Sequence, residues 1–200
     1  MQDELLIVFV KAPQLGKVKT RLAKEIGPEA ARSAYSRLVD VLLQNLSTLA
    51  RVQLRVTPDD SNKEIEHWLR DTWAIRPQGQ GSLGQRLETA FSESFREGVA
   101  RVVIIGSDCP TLQAKDIEKS WAALKSCDVV LGPARDGGYW LIGLNKPRAA
   151  LFKEISWSTD TVLSETLVRA NSAGLKVELL DERSDVDTAG DWNRFLLGKL

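Results

Sequence analysis

Leu5-Leu6-Ile7-Val8-Phe9-Val10-Lys11-Ala12-Pro13-Gln14-Leu15-Gly16-Lys17-Val18-Lys19-Thr20-Arg21-Leu22 decides the fold class of this 200-residue chain. Its first six residues are apolar without alternation, as in a strand buried on both faces of a parallel sheet. Pro13 and Gly16 mark a loop. Helical character resumes from about Lys17 and breaks at Gly27-Pro28. Buried strand, loop, helix is the opening of a βαβ unit.

Working outward, residues 29–50 predict a long helix with Tyr35, Leu38, Val39, Leu42, Leu43 and Leu46 on one face. Residues 52–56 predict a strand, 62–70 a helix and 73–75 a short strand. A glycine-rich stretch, 78–84, leads into an amphipathic helix over 85–97. A buried strand at 102–105 precedes a helix at 117–124. Strands follow at 129–131, 139–144 and 176–180, with helices at 161–170 and 192–197. This alternation predicts one three-layer α/β/α domain over residues 1–200, Rossmann-like, with a mostly parallel, mixed sheet. Ligands of such sheets bind beyond the carboxyl ends of the strands, so the loops 11–21, 106–110, 132–138 and 185–188 carry the functional interest.

Composition narrows the partners. The chain is 43% hydrophobic and 27% charged, an ordinary globular balance. Lys+Arg and Asp+Glu are 27 each, so no net field draws it to nucleic acid or to an anionic membrane. The charge is unevenly placed. Lys11, Lys17, Lys19, Arg21 and Lys24 lie in one acid-free stretch, and Asp181, Glu182, Asp185, Asp187 and Asp191 crowd another. Two cysteines, Cys109 and Cys127, form no metal or disulfide pattern. The acidic start does not read as a signal peptide, and no apolar run is long enough to span a bilayer. A reducing, cytoplasmic setting is expected.

Cations beside a helix start bind phosphate: backbone N–H groups attract anions there, Arg adds a bidentate fork and Lys a point charge. GxxxxGK[ST] is absent, so the loop is not of the Walker A type. Asp108, in Gly106-Ser107-Asp108-Cys109-Pro110, stands at a strand tip, as does Asp187 in Ser184-Asp185-Val186-Asp187-Thr188. Carboxylates from two strands can share one Mg²⁺ or Mn²⁺, a hard cation that keeps waters and substrate phosphates as its other ligands. Either aspartate could equally be a cap or turn residue. Asp136-Gly137-Gly138 suits a tight turn, or an aspartate that orients an acceptor hydroxyl beside glycines a ligand can approach. Trp157 falls in a loop suited to an acceptor pocket. Gly79, Gly81 and Gly84 spell GxGxxG, but the strand before them is short and interrupted by Pro77. His67, the only histidine, has no partner in sequence, and Cys109 has no base beside it.

The stretches 11–23, 80–87, 106–112, 131–144, 157–163 and 185–192, in this order, resemble a bacterial family of glycosyltransferase-like proteins in the nucleotide-diphospho-sugar transferase (GT-A) superfamily. Lys19-Thr20-Arg21-Leu22-Ala23 is also similar to the phospholactate guanylyltransferases of deazaflavin cofactor synthesis, and molybdenum-cofactor nucleotidyltransferases are more distant. The resemblance implies a GT-A fold with the nucleotide over the first strand's loop and a divalent metal at Asp108. It implies that Lys11, Gly16, Lys19 and Arg21 meet phosphate, that Gly81, Leu83 and Gly84 approach the base, and that Asp187 is the second metal ligand. Asp136 would face the acceptor, with Gly137, Gly138 and Trp157 beside it. The chain departs from the pattern in having Ser107-Asp108-Cys109 where an Asp-x-Asp pair would stand.

The expected function is a metal-dependent transferase with a nucleotide donor and a small-molecule acceptor, with Lys19, Arg21 and Asp136 as the catalytic groups. Glycosyl transfer from a nucleotide-sugar leads. Nucleotidyl transfer from a nucleoside triphosphate to a small phosphorylated acceptor, with pyrophosphate release, is the alternative. A non-catalytic nucleotide-binding module, and an NAD-dependent oxidoreductase built on the glycine motif, stand as readings of other classes.

Overall fold

A computed structural model describes residues 3–199. Seven strands, β1 (Glu4–Lys11), β2 (Val52–Thr57), β3 (Ala74–Pro77), β4 (Arg101–Gly106), β5 (Val129–Pro133), β6 (Tyr139–Leu144) and β7 (Val177–Leu179), form one sheet in the order β3-β2-β1-β4-β6-β5-β7. β6 runs antiparallel to both β4 and β5, and every other pairing is parallel. The sheet is the mixed one expected. Among the described residues the helices are α1 (Thr20–Ile26), α2 (Pro28–Asn45), α3 (Asn62–Ile65), α4 (Leu83–Arg96), α5 (Ala114–Ala123), α6 (Val162–Ser172) and α7 (Ala189–Leu196). None is long and apolar enough to cross a membrane.

The apolar run of β1 is buried on both faces. Leu6, Val8 and Val10 join a cluster with Val39, Leu42, Ile117 and Trp121 of α2 and α5. Leu5 and Ile7 join the opposite cluster, with Leu87 and Phe91 of α4 and Ala170 of α6. β4 divides its side chains in the same way, Val103 and Ile105 to one face and Val102 and Ile104 to the other. Each aliphatic side chain so buried contributes about 1.5–3 kcal/mol of transfer free energy, which fixes β1 and β4 as the rigid centre of the sheet. β1 continues through α2 to β2 on one side, while β4 lies on the other. The crevice between their carboxyl ends is therefore the switch point at which such sheets take ligands.

Three helices differ most from the sequence reading. α1 begins at Thr20, not Lys17, because Lys19 adopts a left-handed backbone (φ 45°, ψ 49°) that interrupts helical geometry just before it. α2 stops at Asn45, and the predicted helix over 62–70 is a single turn, α3, followed by a 3₁₀ turn at Glu66–Trp68.

Candidate active site

The basic loop is anchored at both ends. Ala12 and Val18 are buried in the core, while Gly16, with φ +72°, makes the turn between them. The Lys17 N–H donates to the Gln14 carbonyl at 3.1 Å, and the Gln14 side chain reaches Glu64 of α3 at 3.0 Å. The loop then delivers Lys19 inward. A non-glycine residue in the left-handed region costs on the order of 1 kcal/mol, so its neighbours must hold it there.

They do so through charge. Lys19 is 4% exposed in its side chain, and its Nζ lies 2.6 Å from Asp108 Oδ1 and 3.1 Å from Asp187 Oδ1. Burial acts to lower the Lys19 pKa, but the two carboxylates outweigh it and the net direction is upward. Arg21 is largely exposed, with its guanidinium 3.7 Å from Asp187 Oδ2.

Asp108 and Asp187 are 79 residues apart in sequence, and one backbone contact brings them together. The Val186 N–H donates to the Asp108 carbonyl at 3.1 Å, and the Val186 side chain is fully buried. Its neighbours Asp185 and Asp187 are left at the cleft. Thr188 caps α7, with the Asp191 carboxylate accepting from the N–H groups of Asp187 and Thr188, and Gln113 caps α5, so neither Asp187 nor Asp108 serves as a cap.

From α2, the Tyr35 hydroxyl accepts from the Lys11 N–H at 2.8 Å and lies 3.2 Å from the Ser107 hydroxyl. It ties the end of β1 to the end of β4. Burial pushes its pKa well above the ordinary tyrosine range, so it stays a neutral clamp. Nothing in the sequence separated Tyr35 from the other apolar positions of its helix.

Two cavities meet here. One, of about 360 Å³, is walled by Lys11, Lys19, Arg21, Leu83, Asp108 and Asp187, together with Phe9 and Gln78. The other, of about 590 Å³, shares Arg21, Leu83, Asp108 and Asp187 with it and extends past Asp136, Gly138, Trp157 and Asp185. Both are of the size that holds a nucleotide-sized or smaller ligand.

Not every sequence-predicted residue lies on these walls. Gly16 lines neither cavity. Gly81, with φ +97°, has the Gln85 side chain against the place a Cβ would take, and a Cβ on Gly84 would stand 2.6 Å from the Trp157 indole nitrogen. Gly84 is thus accounted for by the packing of Trp157, and the GxGxxG spacing arises from a turn, a capping box at Ser82 and that packing. Gly137, with φ +87°, also lies off the wall, its Cα against the Asp160 backbone. Asp136 accepts from the Gly138 N–H at 3.0 Å, closing the turn, and faces the larger cavity. His67 stacks at a tilt on Trp68, outside both cavities. Burial raises the Cys109 thiol to about 11, which removes it as a nucleophile at neutral pH.

Asp185 is the residue the sequence reading passed over within its acidic run. Burial first, and then the neighbouring Asp108, Asp136 and Asp187, push its carboxyl up to about 7, with Lys19 opposing. Among the described residues no three His, Cys, Asp or Glu side chains form a cation cage. Asp108 and Asp187 nevertheless converge on one ammonium, so they already face a point where positive charge is held. Two hard oxygen donors beside a phosphate-sized cleft fit a Mg²⁺-type ion that takes its remaining ligands from substrate and water.

Comparison with known proteins agrees with this architecture. A family profile described as "uncharacterized protein conserved in bacteria (DUF2064)" matches residues 41–159. The chain is 27% identical over 190 residues to a phosphoenolpyruvate guanylyltransferase of Sphaerobacter thermophilus, covering 92% of this chain and 89% of that one. It is also similar to a crystal structure described as a candidate nucleotide-diphospho-sugar transferase from Desulfovibrio desulfuricans G20. That match has a TM-score of 0.89 and 34% identity over 98% of this chain and 87% of the other. A 4-diphosphocytidyl-2C-methyl-D-erythritol synthase from Anaerococcus prevotii superposes at a TM-score of 0.62 with 14% identity, over 98% of this chain and 100% of the other, a likeness of fold alone. The fold is that of the nucleotide-diphospho-sugar transferases, and the chain is an enzyme of transferase type.

Proposed function

The chain belongs to the DUF2064 family of bacterial proteins, and we propose that it is a metal-dependent nucleotidyltransferase that joins the nucleoside monophosphate of a nucleoside triphosphate to a small acceptor and releases pyrophosphate. The observation that carries this reading is the buried Lys19 ammonium between Asp108 and Asp187, with Lys11 and Arg21 on the same cleft wall. Three cations along one wall match a triphosphate whose charge concentrates on the departing pyrophosphate. The relatedness to a guanylyltransferase supports the same choice. Glycosyl transfer, which led on sequence, has the weaker case: Ser107-Asp108-Cys109 stands at the tip of β4 in place of an Asp-x-Asp pair, and the basic wall is denser than a nucleoside diphosphate requires.

In this mechanism Lys11, Lys19 and Arg21 bind the phosphates, with Lys19 turning from the carboxylates toward the substrate. Leu83 packs against the nucleotide from the start of α4. A divalent cation held by Asp108 and Asp187 would neutralise phosphate charge as it develops. Asp136 orients the acceptor hydroxyl, and Asp185, whose carboxyl burial holds near neutrality, takes its proton.

Calorimetric titration of GTP, CTP and a nucleotide-sugar, with and without Mg²⁺, tests the reading together with a pyrophosphate-release assay. We expect tight, metal-dependent triphosphate binding that Asp108→Ala abolishes. Unchanged affinity in that variant, or consumption of the nucleotide-sugar without pyrophosphate, would overturn it.

A further inference from the structure

The larger cavity carries a charge pattern that selects the acceptor. Asp108, Asp136, Asp160, Asp185 and Asp187 face it, against Arg21 as the one cation that lines it among the described residues. Lys19 is already bonded to two of these carboxylates from the donor side. With Asp108 and Asp187 assigned to a metal, Asp136, Asp160 and Asp185 still surround the remaining space. An acceptor carrying its own phosphate or carboxylate would meet the like charge of Asp136 and Asp160 on the same wall, a repulsion that works as rejection.

Ionised carboxylates only accept hydrogen bonds, so the favoured ligand is one that arrives with several donors. The cavity adds one broad apolar surface, the Trp157 indole, which is fixed against the helix start because Gly84 has no Cβ to displace it. An indole sharing a wall with several acceptors suits a molecule that carries both hydroxyls and C–H groups.

We propose that the acceptor is a neutral polyol, a sugar or cyclitol hydroxyl, and not a phosphorylated or carboxylated compound. This rests on the nucleotidyl-transfer reading, and it parts from the phosphorylated acceptor expected on sequence. The acceptor oxygen forms a bond to the α-phosphorus as the bond from that phosphorus to the pyrophosphate oxygen breaks. The hydroxyl proton passes to a cavity carboxylate. The products are a nucleoside-monophosphate ester of the polyol and pyrophosphate.

The test incubates the full chain with GTP or CTP and Mg²⁺ against two acceptor sets. One holds glycerol, myo-inositol and glucose; the other holds their phosphate esters and phosphoenolpyruvate; ethanolamine is run beside both. Pyrophosphate release and mass spectrometry of the ester product are read. We expect at least a hundredfold preference in kcat/KM for the neutral set, and we expect Asp160→Lys, an exposed position, to narrow it tenfold or more while nucleotide affinity holds. Preference for the phosphorylated set, preference for an amino alcohol such as ethanolamine over every polyol, or transfer to neither set while metal-dependent nucleotide binding persists would each overturn the acceptor class. Loss of that nucleotide binding from the unaltered chain would instead sink the nucleotidyl-transfer reading itself.

Discussion

The two halves of the cleft are built from opposite materials. The donor half is one short segment, Lys11 to Arg21, laid across the tips of β1 and β4 and rich in cations. The acceptor half is assembled from four separate stretches around Asp108, Asp136, Trp157 and Asp185, and it is rich in carboxylates. Asp108 and Asp187 belong to both. On the nucleotidyl-transfer reading, the transferred group leaves a cation-lined region and enters a carboxylate-lined one.

Changes confined to one half should leave the other intact. The largest effect is expected from Lys19→Ala. It removes the ammonium shared by two carboxylates and the phosphate contact proposed for it, so kcat should fall by about 10²–10³, the usual loss for one preorganised electrostatic donor. Acceptor KM should stay within about twofold, and steady-state kinetics with both substrates varied would check this. A comparable rise in acceptor KM would show that the halves are not separable.

A smaller effect is expected from Gly137→Ala in the acceptor half. A Cβ there would run into the Asp160 backbone at a position with φ +87°. About 1–3 kcal/mol of stability should be lost, with acceptor KM raised and nucleotide affinity unchanged by titration.

The smallest effect concerns pH. Asp185 titrates at about 7 in the folded chain against an ordinary value of 3.8. The folded state thus holds a proton that the unfolded state has released, and stability falls as pH rises from about 4 to about 7. Asp185→Asn removes that loss. It should raise Tm at pH 8 and change nothing below pH 4. Thermal melts across this range decide it, and an equal gain at pH 3.5 would refute the electrostatic cause.

The donor half was the more legible because its information is local. An unbroken apolar run followed by Pro, Gly and cations announces a buried strand and an anion loop without reference to distant residues. Even there, the left-handed backbone at Lys19 was hidden, since it is held by Asp108 and Asp187, which lie far along the chain. The glycines at 81 and 84 invited a ligand-approach reading because Trp157, the side chain that explains Gly84, stands 73 residues away. Asp185 was lost in an acidic run whose members the fold sends to different tasks: Glu182 to Arg135, Asp191 to a helix cap, Asp185 and Asp187 to the cleft. Tyr35 carried an apolar signal and a polar duty at once, and periodicity reports only the first.

Val186 gives the acid set a mechanical property. Its isopropyl group is sunk in the protein interior, its amide is tethered to the Asp108 carbonyl, and acids flank it on either side. The separation of Asp108, Asp185 and Asp187 is thus fixed by main chain and one apolar peg, not by flexible side chains. Surface variation around the mouth can accumulate freely, while any change in how deeply that peg seats would shift all three acids in concert.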